Sequence, residues 1–222
     1  MRKEQANPYY PVFLNVAGRR CMVAGGGQVA LRKVQKLLEC GAIVEVVSPR
    51  LCAGLEELAA CGAITVGRRA YKRGDIGGAF LAVAATGNSK TNGRIEREAN
   101  SKGVLLNVVD DIELSSFIVP SYLRRGDITI AVSTAGHSPA LARRIRARIE
   151  KEIGPEYALL AEIAGEVRRD AREKGIRPGR GGWQKALDID SMLDLMKKGQ
   201  RLKAKRLLVK NIENACKKKA GG

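Results

Sequence analysis

The segment from Cys21 to Ala30 restricts what this chain can fold into more than any other stretch. It begins with four apolar residues, continues with three consecutive glycines, and leads into apolar residues at helical spacing that end before Gly41. Gly25, Gly27 and Ala30 fit the pattern G-x-G-x-x-G/A in the setting that this pattern requires, between a strand and a helix. Such a turn brings bare backbone and the positive end of a helix up to an anion. The segment therefore predicts a dinucleotide site, in preference to an ordinary glycine turn.

Short apolar runs alternate with helical patterns through the rest of the N-terminal half. The predicted strands are 43–47, 64–66, 80–85 and 104–109, and the predicted helices are 55–60 and 89–102. Continuously apolar strands separated by helices are typical of a parallel sheet covered on both faces. We therefore expect an α/β fold with a Rossmann-like parallel sheet and ligands at the carboxyl ends of its strands. Residues 8–19 predict a lead-in strand and turn.

The pattern changes after residue 114. Strand-like runs at 116–120 and 128–132 flank the turn signal Arg125-Gly126-Asp127 and predict a β-hairpin. Ser138 then suits the N-cap of a helix that ends at Gly154. Because a hairpin and one helix cannot bury their own faces, we expect a second copy of the chain to cover them in a homodimer. Further helices are predicted at 155–174, 184–198 and 200–216.

These patterns predict three parts. Residues 1–114 form a dinucleotide-binding Rossmann-like domain, residues 115–154 a small α+β dimerisation region, and residues 155–222 a basic helical domain.

The chain is strongly basic, with 40 lysine and arginine residues, 23 acidic residues and a net charge of +17. This charge attracts polyanions such as nucleic acid, an acidic membrane surface or a substrate with many carboxylates. Only 4% of the residues are aromatic, and no helix-turn-helix, RNP or zinc signature is apparent, which argues against nucleic acid.

Targeting and metal signals are missing from the sequence. Residues 1–10 lack the apolar region of a signal peptide, and there is no run of 18 apolar residues. The five cysteines show neither CxxC nor metal-ligand spacing. We therefore expect no membrane span, no structural metal site, free thiols and a cytoplasmic location.

Asp110 and Asp111 follow the predicted strand 104–109, at the mouth of the expected cofactor crevice. A carboxylate at this place can accept a proton from a substrate while a nicotinamide accepts a hydride. The alternative is that the aspartate caps the next turn. The residue pattern alone leaves both uses open.

The identity of the dinucleotide is less clear than its presence. No acidic residue stands at the end of the second strand to bind a ribose hydroxyl, since Ser48, Pro49 and Arg50 occupy that place. Glu45 lies too early in the strand, and Arg50 suits a 2′-phosphate, so the residues leave NAD and NADP open. The expected cofactor-binding residues are Gly25, Gly26, Gly27, Gln28, Val29, Ser48, Pro49, Arg50, Thr86 and Asn107.

A second polar loop, residues 133–138, precedes a predicted helix and suits a carboxylate or a phosphate, although capping by Ser138 alone also explains it. His137 is the only histidine, so no Ser-His-Asp system can form without it, and no GxSxG motif is present. The arginines that follow suit carboxylate recognition. The expected substrate-binding residues are Ser133, Thr134, His137, Ser138, Arg143 and Arg146.

Three segments carry a resemblance to a known family: PVFLNVAGRRCMVAGGGQVALRKV, NVVDDIELSSFIVPS and RRGDITIAVSTAGHSPALARRIR. Together they resemble the precorrin-2 dehydrogenase / sirohydrochlorin ferrochelatase family over about residues 8–155. The resemblance implies a homodimer that oxidises precorrin-2 to sirohydrochlorin with NAD and, in some members, inserts Fe²⁺ into the product to give siroheme.

The resemblance also assigns residues. It places the aspartate of the family's NVVD motif at Asp110, as the catalytic residue of both steps, and the NAD contacts at 25–29 and at Pro49 and Arg50. The pocket stretch that reads SSGG in some members is Ser-Thr-Ala-Gly at 133–136. The basic charge agrees with the polycarboxylate substrate that the resemblance implies.

Two other interpretations remain open at the level of sequence. One is a dehydrogenase that leaves iron insertion to a separate chelatase. The other is an NAD-sensing protein that binds nucleic acid, which the charge of +17 suggests.

Overall fold

Five parallel strands form one sheet in the first half of the chain, in the order β3-β2-β1-β4-β5. The computed structural model describes residues 9–220, and the side chains of that range up to residue 216. The strands are β1 (Arg20–Ala24), β2 (Ile43–Val47), β3 (Thr65–Gly67), β4 (Leu81–Ala84) and β5 (Leu105–Val108). The helices that alternate with them are α1 (Gln28–Glu39), α2 (Ala53–Ala60) and α3 (Ser89–Lys102). The predicted Rossmann-like sheet is confirmed.

The strand register brings four strand ends to one edge of this sheet. Ala24 pairs with Val47 on one side and with Ala84 on the other, and Ala84 pairs with Val108. The order of the strands along the chain reverses between β1 and β4, which is the place where such a sheet binds its ligand. The loops after β1, β2, β4 and β5 therefore surround one edge of the sheet.

Alternate residues of the strands face two apolar layers, as expected for a sheet covered on both sides. Met22, Ala82 and Leu106 lie in one layer with Ile95 and Ala99 of α3. The other layer contains Cys21, Val23 and Val44 together with Ala30 and Val34 of α1 and Leu55 of α2. These layers fix α1 and α3 against the sheet, and with them the turns at which the helices begin.

The predicted lead-in strand is wrong. Residues 9–19 contain a turn at Ala17 and Gly18, as expected, but no strand. Tyr10 and Phe13 are 87% and 75% exposed, and Val16 is the one buried residue of this segment, so the segment lacks the alternating buried face that favours a strand.

The structure divides into two compact units, Met1–Val119 and Pro120–Gly222. The second unit begins with an antiparallel hairpin of β6 (Ser121–Arg125) and β7 (Ile128–Val132). Its helices are α4 (Pro139–Glu152), α5 (Glu156–Glu173), α6 (Gly182–Ala186), α7 (Ile189–Lys197) and α8 (Arg201–Ala220). Apolar residues of α5 to α8 form a separate core that includes Ile163, Met192 and Leu208. The three-part division drawn from the sequence stays a prediction.

The first strand of the hairpin lies five residues later than predicted, at 121–125 instead of 116–120. The two-residue turn pairs Arg125 with Ile128, and this register pairs Val132 with Ser121. The segment before β6 is held elsewhere, because the hydroxyls of Ser115 and Ser116 accept hydrogen bonds of 2.8 Å from the backbone N–H groups of Val108 and Leu106. Side chains thus attach this segment to β5.

The predicted helix 184–198 is also wrong as a single element. It is divided into α6 and α7, because Asp188 caps a new helix by accepting a hydrogen bond of 3.3 Å from the N–H group of Ser191. None of the helices within residues 9–220 is long and apolar enough to cross a membrane.

Candidate active site

Gly25 and Gly26 are required by the packing of the chain itself. Gly25 has a φ of 126°, and a Cβ atom at this position would lie 2.2 Å from the carbonyl oxygen of Ala85. A Cβ atom on Gly26 would lie 1.9 Å from the carbonyl oxygen of Arg50 and 2.6 Å from Oγ of Ser48. Only glycine fits where the turn after β1 passes between the loops after β4 and β2.

Gly27 differs from its two neighbours. Its φ of −89° and ψ of −174° are open to any residue, and a Cβ atom would meet nothing within 4 Å. It is the N-cap of α1, whose start has no side-chain cap and no acidic residue in its first turn. The packing of the chain therefore does not explain this glycine. A bare backbone beside an uncapped helix start fits a bound pyrophosphate.

The other predicted cofactor residues surround this turn. Pro49, Arg50 and Gln28 are exposed, and Val29 is half-buried. Ser48 is buried and its hydroxyl donates a hydrogen bond of 2.7 Å to the carbonyl oxygen of Arg50, so it shapes the loop that touches Gly26. The hydroxyl of Thr86 donates to Oδ1 of Asn92 at 2.6 Å. Their contacts with a dinucleotide stay a prediction.

Glu45 is engaged within the sheet. Its carboxylate lies 2.6 Å from Nη2 of Arg20, at the start of β1, and pairs with Nε of the same guanidinium. Arg20 also donates to the carbonyl oxygens of Gly77 and Asp75 at 2.6 and 2.9 Å. This ion pair excludes Glu45 as a ribose ligand at the opposite edge of the sheet, in agreement with the sequence-based expectation that it lies too early in β2.

Asp110 and Asp111 have different surroundings. Oδ1 of Asp111 accepts a hydrogen bond of 3.1 Å from the N–H group of Leu114, and its carbonyl oxygen accepts one of 2.6 Å from the hydroxyl of Ser115. Asp111 therefore caps the turn that follows β5. Asp110 is exposed, and no hydrogen bond or ion pair to its carboxylate is found among residues 9–216. The capping alternative thus belongs to Asp111.

Asp110 also has an unusual backbone conformation, with a φ of 60°. Ala135 has a φ of 49°, and within residues 9–220 these are the two non-glycine residues with positive φ. Aspartate tolerates this left-handed region, whereas alanine is strained in it. Such conformations cluster at functional sites, and each of these two lies in a segment that the sequence predicts to be functional.

Lys33 is a site residue that the sequence analysis missed. Its Nζ donates a hydrogen bond of 3.2 Å to Oδ1 of Asn107, and Nδ2 of Asn107 donates to the carbonyl oxygen of Phe117 at 3.2 Å. Burial lowers the pKa of Lys33, against the opposing attraction of the Asp110 carboxylate. The spacing of the sequence could have indicated this residue. Lys33 is three residues after Ala30 and four before Leu37, so it lies on the apolar stripe of α1 that faces the sheet.

The predicted substrate loop of the second unit is held by its own side chains. The hydroxyl oxygens of Ser133 and Thr134 accept hydrogen bonds of 3.0 Å from the N–H groups of Ala135 and Ser138. Ser138 caps α4 by accepting a hydrogen bond of 3.2 Å from the N–H group of Leu141. These contacts confirm the expected helix cap, and their function in substrate binding stays a prediction.

The cationic candidates near this loop are also distinguished by their contacts. His137 is exposed, with Nδ1 3.0 Å from the carbonyl oxygen of Thr134. Arg146 forms an ion pair with Glu150 on the next turn of α4, whereas Arg143 is exposed. Arg143 and His137 are therefore better placed than Arg146 to meet a carboxylate from solvent. Among the described side chains, no group of three or more His, Cys, Asp and Glu residues is placed to hold a metal ion.

Comparison with known proteins identifies both units. The family model NAD_binding_7, which describes NAD(P)-binding domains, matches residues 12–121, and the model of the sirohaem biosynthesis protein central domain matches residues 125–152. The siroheme synthases of Azotobacter vinelandii and Nitrosococcus oceani are each 38% identical to this chain over 96% and 92% of its length. The matched parts are 46% and 44% of those proteins, so the chain spans less than half the length of these curated relatives.

A solved structure agrees with these matches. The structure of SirC, a precorrin-2 dehydrogenase, has a TM-score of 0.70 and 26% sequence identity, and the match covers 93% of this chain and 100% of that one. The chain belongs to the family of siroheme-biosynthesis proteins that includes siroheme synthases and precorrin-2 dehydrogenases.

Proposed function

We propose that this protein catalyses the NAD-dependent oxidation of precorrin-2 to sirohydrochlorin in siroheme biosynthesis. The similarity to a precorrin-2 dehydrogenase and to siroheme synthases supports this activity, as does the NAD(P)-binding domain. The net charge of +17 suits a substrate with many carboxylates. The observation that carries the assignment is the uncommitted carboxylate of Asp110, which follows β5 at the same edge of the sheet as the glycine turn.

In the first unit, one group of residues binds the cofactor and another accepts the proton. NAD, when bound, accepts the hydride that leaves the macrocycle. The backbone N–H groups at the start of α1 hold its pyrophosphate, and Gly27 leaves the space for that group. Asp110 accepts the proton that is lost with the hydride. The carboxylate of Asp110 is available for this proton, because it makes no hydrogen bond to a described residue that would have to break first.

The loop at 133–138 and the arginines of α4 bind the carboxylates of the macrocycle. His137 and Arg143 make these contacts through exposed cationic or hydrogen-bonding groups. Ser133, Thr134 and Ser138 keep the loop in shape through the hydrogen bonds to its backbone.

We extend the proposal to insertion of Fe²⁺ into sirohydrochlorin, with iron as a substrate. Insertion displaces two pyrrole N–H protons, and a carboxylate near the ring is a suitable acceptor. Asp110 then serves both steps, since its carboxylate is exposed and makes no hydrogen bond within its own turn, whereas Asp111 accepts one from Leu114. The alternative is a dehydrogenase that leaves the metal to a separate chelatase.

We also propose that the protein is a homodimer. The hairpin of β6 and β7 is an isolated two-stranded sheet, of which only Leu123 is buried. Leu141 and Ile145 of α4 are 50% and 38% exposed, on the face that the sequence pattern makes apolar. Such a hairpin is marginally stable alone. A second copy of the same region covers these faces.

A cytoplasmic location is consistent with the state of the cysteines. All five are free, and thiols persist in a reducing compartment. We propose this compartment as the place of the reaction.

An anaerobic spectroscopic assay with precorrin-2 and NAD tests the activity, and a second run with Fe²⁺ tests metal insertion. We expect the wild-type protein to form sirohydrochlorin in the first run and siroheme in the second. Asp110→Asn should lower kcat by about 10²–10⁴-fold, the usual contribution of a general base, and leave the affinity for NAD within about twofold. Lack of conversion by the wild-type protein would refute the dehydrogenase activity.

Asp111→Asn is the matched control. It removes the same charge one residue away, and its amide oxygen still accepts the hydrogen bond from the N–H group of Leu114. We expect it to keep at least half of the wild-type kcat. If both variants lose activity equally, the effect is one of local charge and the assignment of Asp110 as the base is wrong.

A further inference from the structure

Lys33 connects the helix of the glycine turn to the strand that ends at the proposed base. It lies on α1, five residues after the first helical residue Gln28, which is about 7.5 Å along the helix axis. Its Nζ reaches across to Oδ1 of Asn107 on β5, at 3.2 Å. One ammonium group thus spans the two elements that carry the cofactor turn and Asp110.

The Asn107 amide has one orientation in this arrangement. Its oxygen accepts from Lys33, and its nitrogen donates to the carbonyl oxygen of Phe117 at 3.2 Å. The residue is 8% exposed, so water does not replace either partner easily. If the Lys33 ammonium were removed, a buried amide oxygen would lose its donor, which favours rearrangement of the side chain.

Charge links Lys33 to Asp110 as well. Burial is the largest influence on the pKa of Lys33 and lowers it, Asp110 raises it by attraction, and Arg32 on the same helix lowers it by repulsion. A buried cation is costly unless an anion compensates it. Asp110 supplies that compensation without forming a direct ion pair with Lys33.

We propose that Lys33 is a positioning residue, which fixes the Asn107 amide and brings a positive charge to the strand that leads into Asp110. This inference rests on the proposed function, in which Asp110 is the base. A lysine at this place has a cost, since burial disfavours its charge, and the attraction to Asp110 reduces that cost. A long apolar side chain would fill the same space, but it would neither donate a hydrogen bond to Asn107 nor bring a positive charge near Asp110.

Steady-state kinetics test whether Lys33 positions the Asn107 amide. The variants are Lys33→Met, Lys33→Arg and Lys36→Met. Lys36 lies on the same helix, is exposed and pairs with Glu39, so its replacement is the matched control. We expect Lys33→Met to lower kcat about tenfold or more, with KM and the dissociation constant of NAD within about twofold of wild type. Lys33→Arg should recover most of the kcat, and Lys36→Met should match the wild type.

A loss of kcat that Lys33→Arg does not recover would show that Lys33 has only a structural role and would overturn the inference. The inference would also be overturned if Lys33→Met weakened the binding of NAD as much as it lowered kcat.

A titration separates this inference from the proposed function, because it needs no turnover. In protein with isotope-labelled lysine, NMR reports the pKa of Lys33 directly. We expect Asp110→Asn to lower the pKa of Lys33 further, since the attraction that raises it is gone. Asp111→Asn should lower it clearly less. An unchanged Lys33 titration in Asp110→Asn would refute the electrostatic link, whereas a shifted titration in a protein that does not oxidise precorrin-2 would refute only the proposed activity.

Discussion

Gly27→Asp should make the protein more stable and prevent it from binding NAD. Gly27 is the N-cap of α1, its extended φ and ψ suit an aspartate, and the first turn of the helix has no acidic residue. A capping carboxylate there accepts a free N–H group and interacts favourably with the helix dipole. We expect a gain of about 0.5–1 kcal/mol in the free energy of unfolding, which corresponds to about 1–4 °C in Tm for a chain of this size.

The same carboxylate occupies the place of the pyrophosphate. Two like charges 4 Å apart repel by about 4 kcal/mol at an effective dielectric constant of 20, and solvent screening at an exposed turn leaves about half of that. The NAD affinity should therefore fall by at least about 30-fold, before any steric conflict is added. Stability and affinity thus change in opposite directions.

Denaturant unfolding and calorimetric titration with NAD measure these two quantities on the same samples. Gly27→Ala should stay within about 1 kcal/mol of the wild-type stability, because its Cβ atom meets nothing within 4 Å and the loss of a glycine cap offsets the gain in chain stiffness. Gly25→Ala should be strongly destabilised, because its Cβ atom would lie 2.2 Å from the carbonyl oxygen of Ala85. A Gly27→Asp protein that binds NAD like the wild type would refute the assignment of the pyrophosphate to this turn.

Three further predictions concern the structure around the site. Glu98 is buried, and burial alone would raise its pKa, but hydrogen bonds from Tyr71 and Lys102 lower the pKa below the ordinary 4.5. The ionised carboxylate therefore stabilises the fold above pH 4.5. This stabilisation is lost as the pH falls through the lowered pKa. In urea titrations, Glu98→Gln should cost about 1–3 kcal/mol at pH 7 and clearly less at pH 3.5, and a cost independent of pH would contradict this account. Ala135→Gly should be neutral or stabilising by up to about 1 kcal/mol in thermal unfolding, because it relieves a φ of 49°; a destabilised variant would show that the alanine is not strained. Leu141→Glu should shift the protein from dimer to monomer in analytical ultracentrifugation, because it places a charge on a half-exposed apolar face; an unchanged sedimentation coefficient would exclude this face from the interface.

Local signals in the sequence were sufficient for the elements that carry their own boundaries. Helix α3 has the predicted limits because Asn88 caps its start by accepting from the N–H group of Thr91, and Gly103 ends it with a φ of 63°. The limits of β1 and the start of α1 could also be predicted, because the glycines directly follow a buried strand. In these places the residues that decide the structure are neighbours in sequence, so their pattern is readable without the fold.

Two of the features that were misplaced or missed depend on contacts with other segments of the chain. The hairpin register follows from the pairing of Arg125 with Ile128, and the preceding segment is held on β5 by the hydroxyls of Ser115 and Ser116. No periodicity within residues 115–120 reports these contacts. Lys33 was missed for the same reason, because its partner Asn107 lies 74 residues away in sequence.

The two aspartates after β5 show what the fold adds to the site. Asp110 and Asp111 are adjacent residues of the same type, and the residue pattern alone offers both as base and both as cap, although the family resemblance places the catalytic aspartate at Asp110. The backbone separates them, because a φ of 60° at Asp110 turns the chain so that Asp111, and not Asp110, accepts from the N–H group of Leu114. Glycine would adopt this conformation with less strain but would bring no carboxylate, whereas aspartate tolerates it and keeps one. Asp110 therefore keeps an exposed carboxylate that its own turn does not use, which is the property that the proposed base requires.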